Sequence, residues 1–303
     1  MKIVVSGASG FIGSALVARL RDERHDVARL VRPAGRSGGT PVATDVIRWD
    51  PAAGSIDAGG LEGADAVVHL AGAGIADHRW SEEYKRELVE SRSGPTTLLA
   101  TTLALLSRKP AVLLSASAVG WYGSRGDEVL DETSAPGADF LAGVCRGWEA
   151  ATATAEAAGI RVAHLRTGLV LSARGGALKK QLPLFKLAVG GRLGAGTQWQ
   201  SWISLDDELG AISHLLTAEV GGPVNLTAPN PVRNAEFTTA LGKALHRPTV
   251  VPVPAFAPKL LLGPELAESL LFSSQRVLPK VLEASGYEFR HATIDDGLAA
   301  ALG

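Results

Sequence analysis

The sequence predicts an α/β fold, a doubly wound parallel sheet followed by a smaller C-terminal region. Three observations predict it. Short apolar, β-branched runs alternate with helical stretches through the first half of the chain. A turn with glycine at every third position, Gly7, Gly10 and Gly13, joins the first of those runs to the first helix. Beyond Gly175 the rhythm loosens, with Gly175-Gly176, Gly190-Gly191 and the prolines Pro252, Pro254, Pro258 and Pro264 breaking the pattern.

Each element follows from its local pattern. Ile3 to Ser6 reads as a strand, and Phe11 to Asp22 as a helix with Ile12, Ala15, Leu16 and Leu20 on one face. Val27 to Arg32 is the second strand, followed by a Gly/Pro/Ser-rich loop from Pro33 to Pro41, and Val46 to Trp49 is the third. Ala66 to Leu70 is apolar but for His69, as suits a strand buried on both faces. A long helix spans Ser81 to Leu106 with an irregularity expected at Gly94-Pro95. Ala111 to Ser115 is the fifth strand, Phe140 to Ala158 a helix and Arg161 to Arg166 the sixth strand. Right-handed crossovers then place helices on both faces of the sheet. Residues 1–175 form one domain, to which segments within 200–250 partly return. Residues 176–303 form the smaller, interleaved region on the substrate side.

Composition narrows the function. A net charge of −1 with no basic stripe disfavours nucleic acid and anionic membrane as partners and leaves a small molecule. One cysteine, Cys145, permits no disulfide framework, and with sparse histidines it makes a metal site improbable. The N-terminal run leads straight into the glycine turn, too short for a signal peptide, and no apolar run has transmembrane length. A cytoplasmic location is expected, and the choice between monomer and homodimer stays open.

The glycine turn carries the chemistry. The first glycine permits a tight turn, the second close approach of a pyrophosphate, and the third close packing of helix on strand, with the helix N-terminus facing the phosphates. This is the phosphate-binding turn of a Rossmann-type dinucleotide-binding domain, and Gly7, Ser9, Gly10, Phe11 and Ile12 are its candidate contacts. An acidic residue at the end of the second strand would hold the adenosine ribose of NAD. The strand ends instead Leu30-Val31-Arg32, with Arg36 nearby and no carboxylate before Asp45. A guanidinium there suits a 2′-phosphate, so NADP(H) is expected in preference to NAD(H). Asp50 reads either as an adenine contact or as a turn cap.

The Gly-x-x-Gly-x-x-Gly spacing with Phe11-Ile12 inside it, Val68-His69-Leu70-Ala71-Gly72, Ser115-Ala116-Ser117 and Arg166-Thr167-Gly168-Leu169-Val170 resemble the extended or atypical short-chain dehydrogenase/reductase superfamily. His78-Arg79-Trp80, Ser91-Arg92, Trp121-Tyr122-Gly123, Trp148-Glu149 and Asn230-Pro231 are similar to the bacterial epimerase family proteins within it, whose reaction is poorly defined. The resemblance implies cofactor contacts at Leu70, Ala71, Gly72, Glu87, Arg92, Ser115 and Val170, and a pocket-lining loop at Gln198-Trp199 and Ser201-Trp202.

The resemblance also implies a Tyr-x-x-x-Lys pair, in which the lysine lowers the tyrosine pKa and the tyrosine moves a proton. Leu141 and Cys145 stand at those positions, and neither does that work. Ser117, as a hydrogen-bond donor, and Tyr122, as a phenol, are the candidate replacements. Tyr122 reads equally well as a packing aromatic, and Cys145 as a small buried hydrophobe. Asp206-Asp207 reads as a helix N-cap rather than as paired catalytic carboxylates. Two functions follow: an NADP(H)-dependent oxidoreductase or epimerase-like enzyme, or a non-catalytic NADP(H)-sensing protein.

Overall fold

The structure is a computed structural model that describes residues 1–32 and 45–303. The buried run β1 (Lys2–Ser6) turns through the glycines into α1 (Phe11–Asp22). Next come β2 (Asp26–Val31), β3 (Val46–Asp50), the short β4 (Ser55–Ile56) and α2 (Ala58–Leu61), then β5 (Ala66–His69), buried at every position. α3 (Glu82–Leu105) starts at Ser81, whose side chain accepts from the Tyr84 N–H, and runs unbroken through Gly94-Pro95. Its buried stripe of Leu88, Arg92, Thr96, Leu99 and Leu103 holds it together where the proline removes a backbone donor.

β6 (Val112–Ala118) reaches three residues beyond the predicted strand, because Ala116, Ser117 and Ala118 pair with Leu165, Arg166 and Thr167. A single 3-10 turn over Val119–Tyr122 and β7 (Val129–Leu130) follow. The predicted helix 140–158 is two helices, α4 (Phe140–Ala150) and α5 (Ala153–Ala157). At the break, the Thr152 hydroxyl donates back to the Glu149 carbonyl at 2.8 Å, a local bond that competes with the helix.

The second half holds β8 (Arg161–Thr167), β9 (Leu169–Leu171), α6 (Gly176–Lys186), β10 (Trp199–Gln200), β11 (Trp202–Ser204) and α7 (Leu205–Leu215). After these come β12 (Gly222–Leu226), β13 (Val232–Arg233), α8 (Asn234–Leu245), α9 (Phe256–Leu262) and α10 (Pro264–Ala267). A π-helical turn over Glu268–Phe272, β14 (Arg276–Val277), α11 (Lys280–Ala284) and α12 (Ile294–Leu302) end the chain.

The main sheet has the order β12-β8-β6-β5-β1-β2-β3-β4, parallel except for β4 at its edge. From β1 the chain builds outward through β2 and β3, then crosses to β5 on the other side. That reversal opens a crevice at the C-terminal ends of β1 and β5, where such sheets bind ligands. Leu16, Leu20 and Ile212 fill the core on the face covered by α1 and α7. Leu99, Leu103 and Leu113 fill the opposite core beneath α3. A third core, with Trp202, Phe237 and Leu298, sits among β11, α8 and α12.

The cap of α7 is Ser204, whose side chain accepts from the Asp207 N–H, and not the aspartate pair. Asp207 is fully buried and ties down the C-terminal segment by accepting from the N–H groups of Arg290 and His291 and from the Tyr287 hydroxyl. Among the described residues no helix is long and apolar enough to cross a membrane, and no cluster of ligands could hold a metal ion.

Candidate functional site: the C-terminal edge of the sheet

The glycine turn is built for close approach. Gly7 has φ +67°, and a Cβ there would stand 2.7 Å from the Leu70 carbonyl carbon. A Cβ on Gly13 would stand 2.2 Å from the Gly7 oxygen. Gly10 is the N-cap of α1, no side chain caps that end, and no acidic residue lies in the first turn. The positive end of α1 therefore opens on the crevice between β1 and β5 with its N–H groups unscreened, a cradle that fits a pyrophosphate. Ser9 and Gly10 are exposed, Phe11 and Ile12 half-buried. The Phe11 ring lies where a Cβ on Gly175 would stand, 2.2 Å from its Cδ2, and beside it Val170 is buried with its carbonyl facing Gly176. These glycines let the segment after β9 close against the turn.

Two rows of polar side chains cross one face of the sheet in register. Ser6, His69, Ser115 and His164 sit opposite one another on β1, β5, β6 and β8. The His69 ring bonds Ser6 Oγ at 2.6 Å and Thr96 Oγ1 at 2.9 Å, and Ser6 Oγ also accepts from the Leu70 N–H at 3.2 Å. Burial alone holds the His69 pKa down to about 4, so its ring is neutral. Ser115 Oγ is buried without a partner among the described residues.

The second row, Ser117, Arg166 and Asn225, lies one step closer to the crevice on β6, β8 and β12. Glu149 of α4 meets it from above. Arg166 donates to Glu149 from Nε and Nη2, both at 2.9 Å, and Ser117 Oγ donates to the same carboxylate at 2.7 Å. The Tyr122 hydroxyl accepts from Arg166 Nη1 at 3.1 Å and donates to Asn225 Oδ1 at 2.7 Å. Arg166 also stacks on Trp121, 3.9 Å from the ring centroid. Burial pushes the Tyr122 phenol up to about 12 despite the arginine beside it. The two candidate catalytic groups, Ser117 and Tyr122, thus share one buried network with Glu149 and Arg166.

Leu141 and Cys145 do not face the crevice freely. A Cβ on Gly120 of the 3-10 turn would meet Leu141 Cβ at 3.5 Å and Cys145 Sγ at 3.7 Å, so the turn packs directly on that face of α4. Cys145 is buried with its thiol toward the Ala118 carbonyl, and burial raises its pKa to about 11, which makes it an inert packing residue. The cation near it comes from α3. Arg92, 9% exposed, lies 5.0 Å over the Trp148 ring and donates to the carbonyls of Leu88 and Ala73 at 3.0 and 2.9 Å. Its Nε–H has no acceptor among the described residues, and its side chain lies against Gly72. Glu87 is exposed.

Other expected contacts divide. Arg32 is exposed at the end of β2, and Arg36 lies outside the described residues. The Asp50 carboxylate accepts from the N–H groups of Ala52 and Ala53, so it caps a turn, while Leu70, Ala71 and Gly72 lead from β5 past the glycine cradle. Trp202 is core, with its indole donating to the Asn230 carbonyl. Trp199 is half-buried, 4.8 and 4.5 Å from the guanidinium groups of Arg233 and Arg276. A separate shallow cleft of about 560 Å³, lined by His214, Val220, Val281 and Ser285 among others, lies at the N-terminal end of β12, away from the cradle.

Sequence reading gave Glu149, Arg166, Asn225 and His69 no part in the site. The available signal was polar residues at alternate positions of otherwise apolar strands. Only the strand register turns that signal into a row.

Comparison with known proteins agrees with this architecture. The family model of the NAD dependent epimerase/dehydratase family matches residues 3–227, and a domain of unknown function matches residues 253–301. An epimerase family protein of Mycobacterium tuberculosis is 44% identical over 300 residues, covering 99% of this chain and 97% of its own. The human epimerase family protein SDR39U1 is 35% identical over 294 residues, covering 95% of each. A crystal structure of the human protein with NADPH superposes with a TM-score of 0.88 at 32% identity over 99% of each chain. The nucleoside-diphosphate sugar epimerase of Corynebacterium glutamicum gives 0.78 at 40% identity, covering 100% of this chain and 58% of that one. With a family model matching residues 3–227 and relatives along nearly its whole length, the chain belongs to the NAD dependent epimerase/dehydratase family, among the epimerase family proteins of the short-chain dehydrogenase/reductase type.

Proposed function

We propose that the protein is an NADP(H)-dependent oxidoreductase or epimerase-like enzyme. Its substrate is a small carbonyl- or hydroxyl-bearing compound, nucleotide-sugar-like molecules included, and it works without a Tyr-x-x-x-Lys pair. The observation that carries the reading is the uncapped, glycine-lined N-terminus of α1 beside a second strand that Arg32 directly follows. The next carboxylate among the described residues, Asp45, is held by Arg29 and Arg21 at 2.9 and 2.5 Å, which leaves it poorly placed to bind a ribose diol. The NADPH in the human relative supports the preference. The neighbours that carry NAD share only about 20% identity and speak for the fold alone.

In this reading the backbone of Gly7 to Ile12 holds the pyrophosphate and Arg32 the 2′-phosphate. Leu70, Ala71 and Gly72 line the cleft through their backbone. Arg92 supplies from α3 the positive charge that a lysine at position 145 would have brought. The nicotinamide, when bound, gives or takes a hydride. Ser117 has its proton fixed on Glu149 and offers its oxygen to the substrate. Tyr122, locked between Arg166 and Asn225, steadies the guanidinium rather than donating a proton.

Titration followed by tryptophan-to-nicotinamide energy transfer tests the cofactor half. NADPH should bind at micromolar concentration and NADH at least about tenfold more weakly, with Arg32→Ala closing most of that gap. Equal affinities for the two cofactors in the wild type would sink the preference. The catalytic half is tested by NADPH turnover with carbonyl and nucleotide-sugar panels, which Ser117→Ala should abolish.

A second reading, a non-catalytic NADP(H) sensor, draws on the packing of Leu141 and Cys145 against Gly120, which removes the usual proton donor. It predicts tight binding, no turnover across the panels, and a partner or assembly that responds to redox state. A cytoplasmic location fits the single buried, unpaired Cys145, and cell fractionation checks it.

A further inference from the structure

α9 buries none of its side chains. Phe256, Leu260 and Leu261 are 70, 76 and 72% exposed. Apart from Lys259, which pairs with Glu268 at 2.7 Å, the helix is held through its backbone. Arg79 donates from Nε to the Leu261 carbonyl at 3.0 Å, and from Nη2 to the carbonyls of Leu260 and Leu261 at 2.6 and 2.7 Å. A guanidinium on the last carbonyls of a helix satisfies orphan acceptors and meets the negative end of its dipole. Lys85 adds an ion pair to Glu265 of α10 at 2.6 Å.

Both flanks of α9 are anchored. Val253 pairs with the 192–194 segment, donating to the Arg192 carbonyl at 2.8 Å and accepting from Gly194 at 3.0 Å. Beyond it, Leu266 and Ala267 are buried. Between α9 and α10 stands Gly263, with φ +93° and open space around it, a backbone conformation suited to a hinge.

Arg79 belongs to the segment that leaves Gly72 at the mouth of the crevice. Lys180 of α6, the helix that begins against Phe11, reaches the Ala76 carbonyl of the same segment at 3.3 Å. The structure thus brings a weakly packed helix, a glycine hinge and cationic clasps together at the rim of the dinucleotide cleft. We propose that α9 is a strap across that rim, latched by Arg79, and that its release gates entry and exit of the dinucleotide. The proposal rests on the cofactor reading above. A segment with few buried contacts and exposed hydrogen bonds opens well below the global unfolding free energy.

Hydrogen exchange of the full chain, with and without NADPH, joined to stopped-flow NADPH dissociation, tests it. In Arg79→Ala, which removes the charged hydrogen bonds to Leu260 and Leu261, peptides covering 255–263 should exchange at least about tenfold faster, while those of α1 stay unchanged. NADPH dissociation should rise several-fold in step, and Glu265→Gln should give a smaller rise in both readouts. Unchanged exchange over 255–263 overturns the latch. Faster exchange with unaltered dissociation overturns the gate. A wild-type chain that binds no NADPH overturns the cofactor reading and the gate with it, while the exchange result still decides whether Arg79 holds the helix.

Discussion

At the scale of single residues, Glu149 matters most to the buried edge of the sheet. It satisfies Ser117 and Arg166 together, and Arg166 is only 3% exposed. Removing one partner of a buried pair strands the other charge. Glu149→Ala should therefore cost about 3–5 kcal/mol in chemical denaturation, and Glu149→Ala with Arg166→Met should recover most of it. A loss below about 1 kcal/mol would mean that the pair is solvated and does not organise Ser117. Ser117 itself shows how a residue's role depends on its partner. Read from sequence it is a hydrogen-bond donor, but its proton is already committed to the carboxylate, and its oxygen is what remains to offer.

At the scale of elements, the cradle depends on two glycines whose neighbours cannot give way easily. Gly13 meets the backbone of Gly7, and Gly175 meets the Phe11 ring. Gly13→Ala should cost about 1–3 kcal/mol of stability by overpacking and, on the proposed cofactor reading, abolish NADPH binding, because backbone must move at the cradle. Gly175→Ala should weaken binding less, since an aromatic ring can turn aside. Thermal melts beside NADPH titrations check both. Equal losses of binding would show that Phe11, and not the turn, sets the geometry. The same scale explains the long α3: a stripe of buried residues outweighs one proline, which propensity alone does not foresee.

At the scale of the whole molecule, buried ionisable groups set the pH response. Glu208 is buried with one oxygen accepting from Thr167 at 2.9 Å and the other without a partner among the described residues, and burial raises its pKa to about 8. The folded state keeps the proton that the unfolded chain loses near the ordinary carboxylate pKa. Glu208 therefore lowers stability progressively as pH rises toward 8. His69 acts oppositely, since the unfolded chain takes up a proton below about 6.5 that the folded state refuses until about 4. The two slopes oppose each other in mild acid, and above that only Glu208 remains. Glu208→Gln should be more stable than wild type, with the difference growing between pH 6.5 and 8 at up to about 1.4 kcal/mol per pH unit. A difference independent of pH in that window would mean that Glu208 is already ionised in the folded protein.

The sequence by itself determined the alternation of strands and helices, the glycine cradle, the arginine at the end of β2 and the missing Tyr-Lys pair. Each is written in residues that are neighbours along the chain, where period, turn chemistry and spacing are local properties. Tertiary structure alone decided which groups surround the positions of that pair. Ser117, Arg166 and Asn225 become one row only when β6, β8 and β12 lie in register, and Glu149 joins them only because α4 packs above. Arg92 of α3 meets the α4 face, and Arg79 finds the end of α9 more than 180 residues away. Contacts between segments so far apart are set by sheet register and helix packing, which no local pattern encodes.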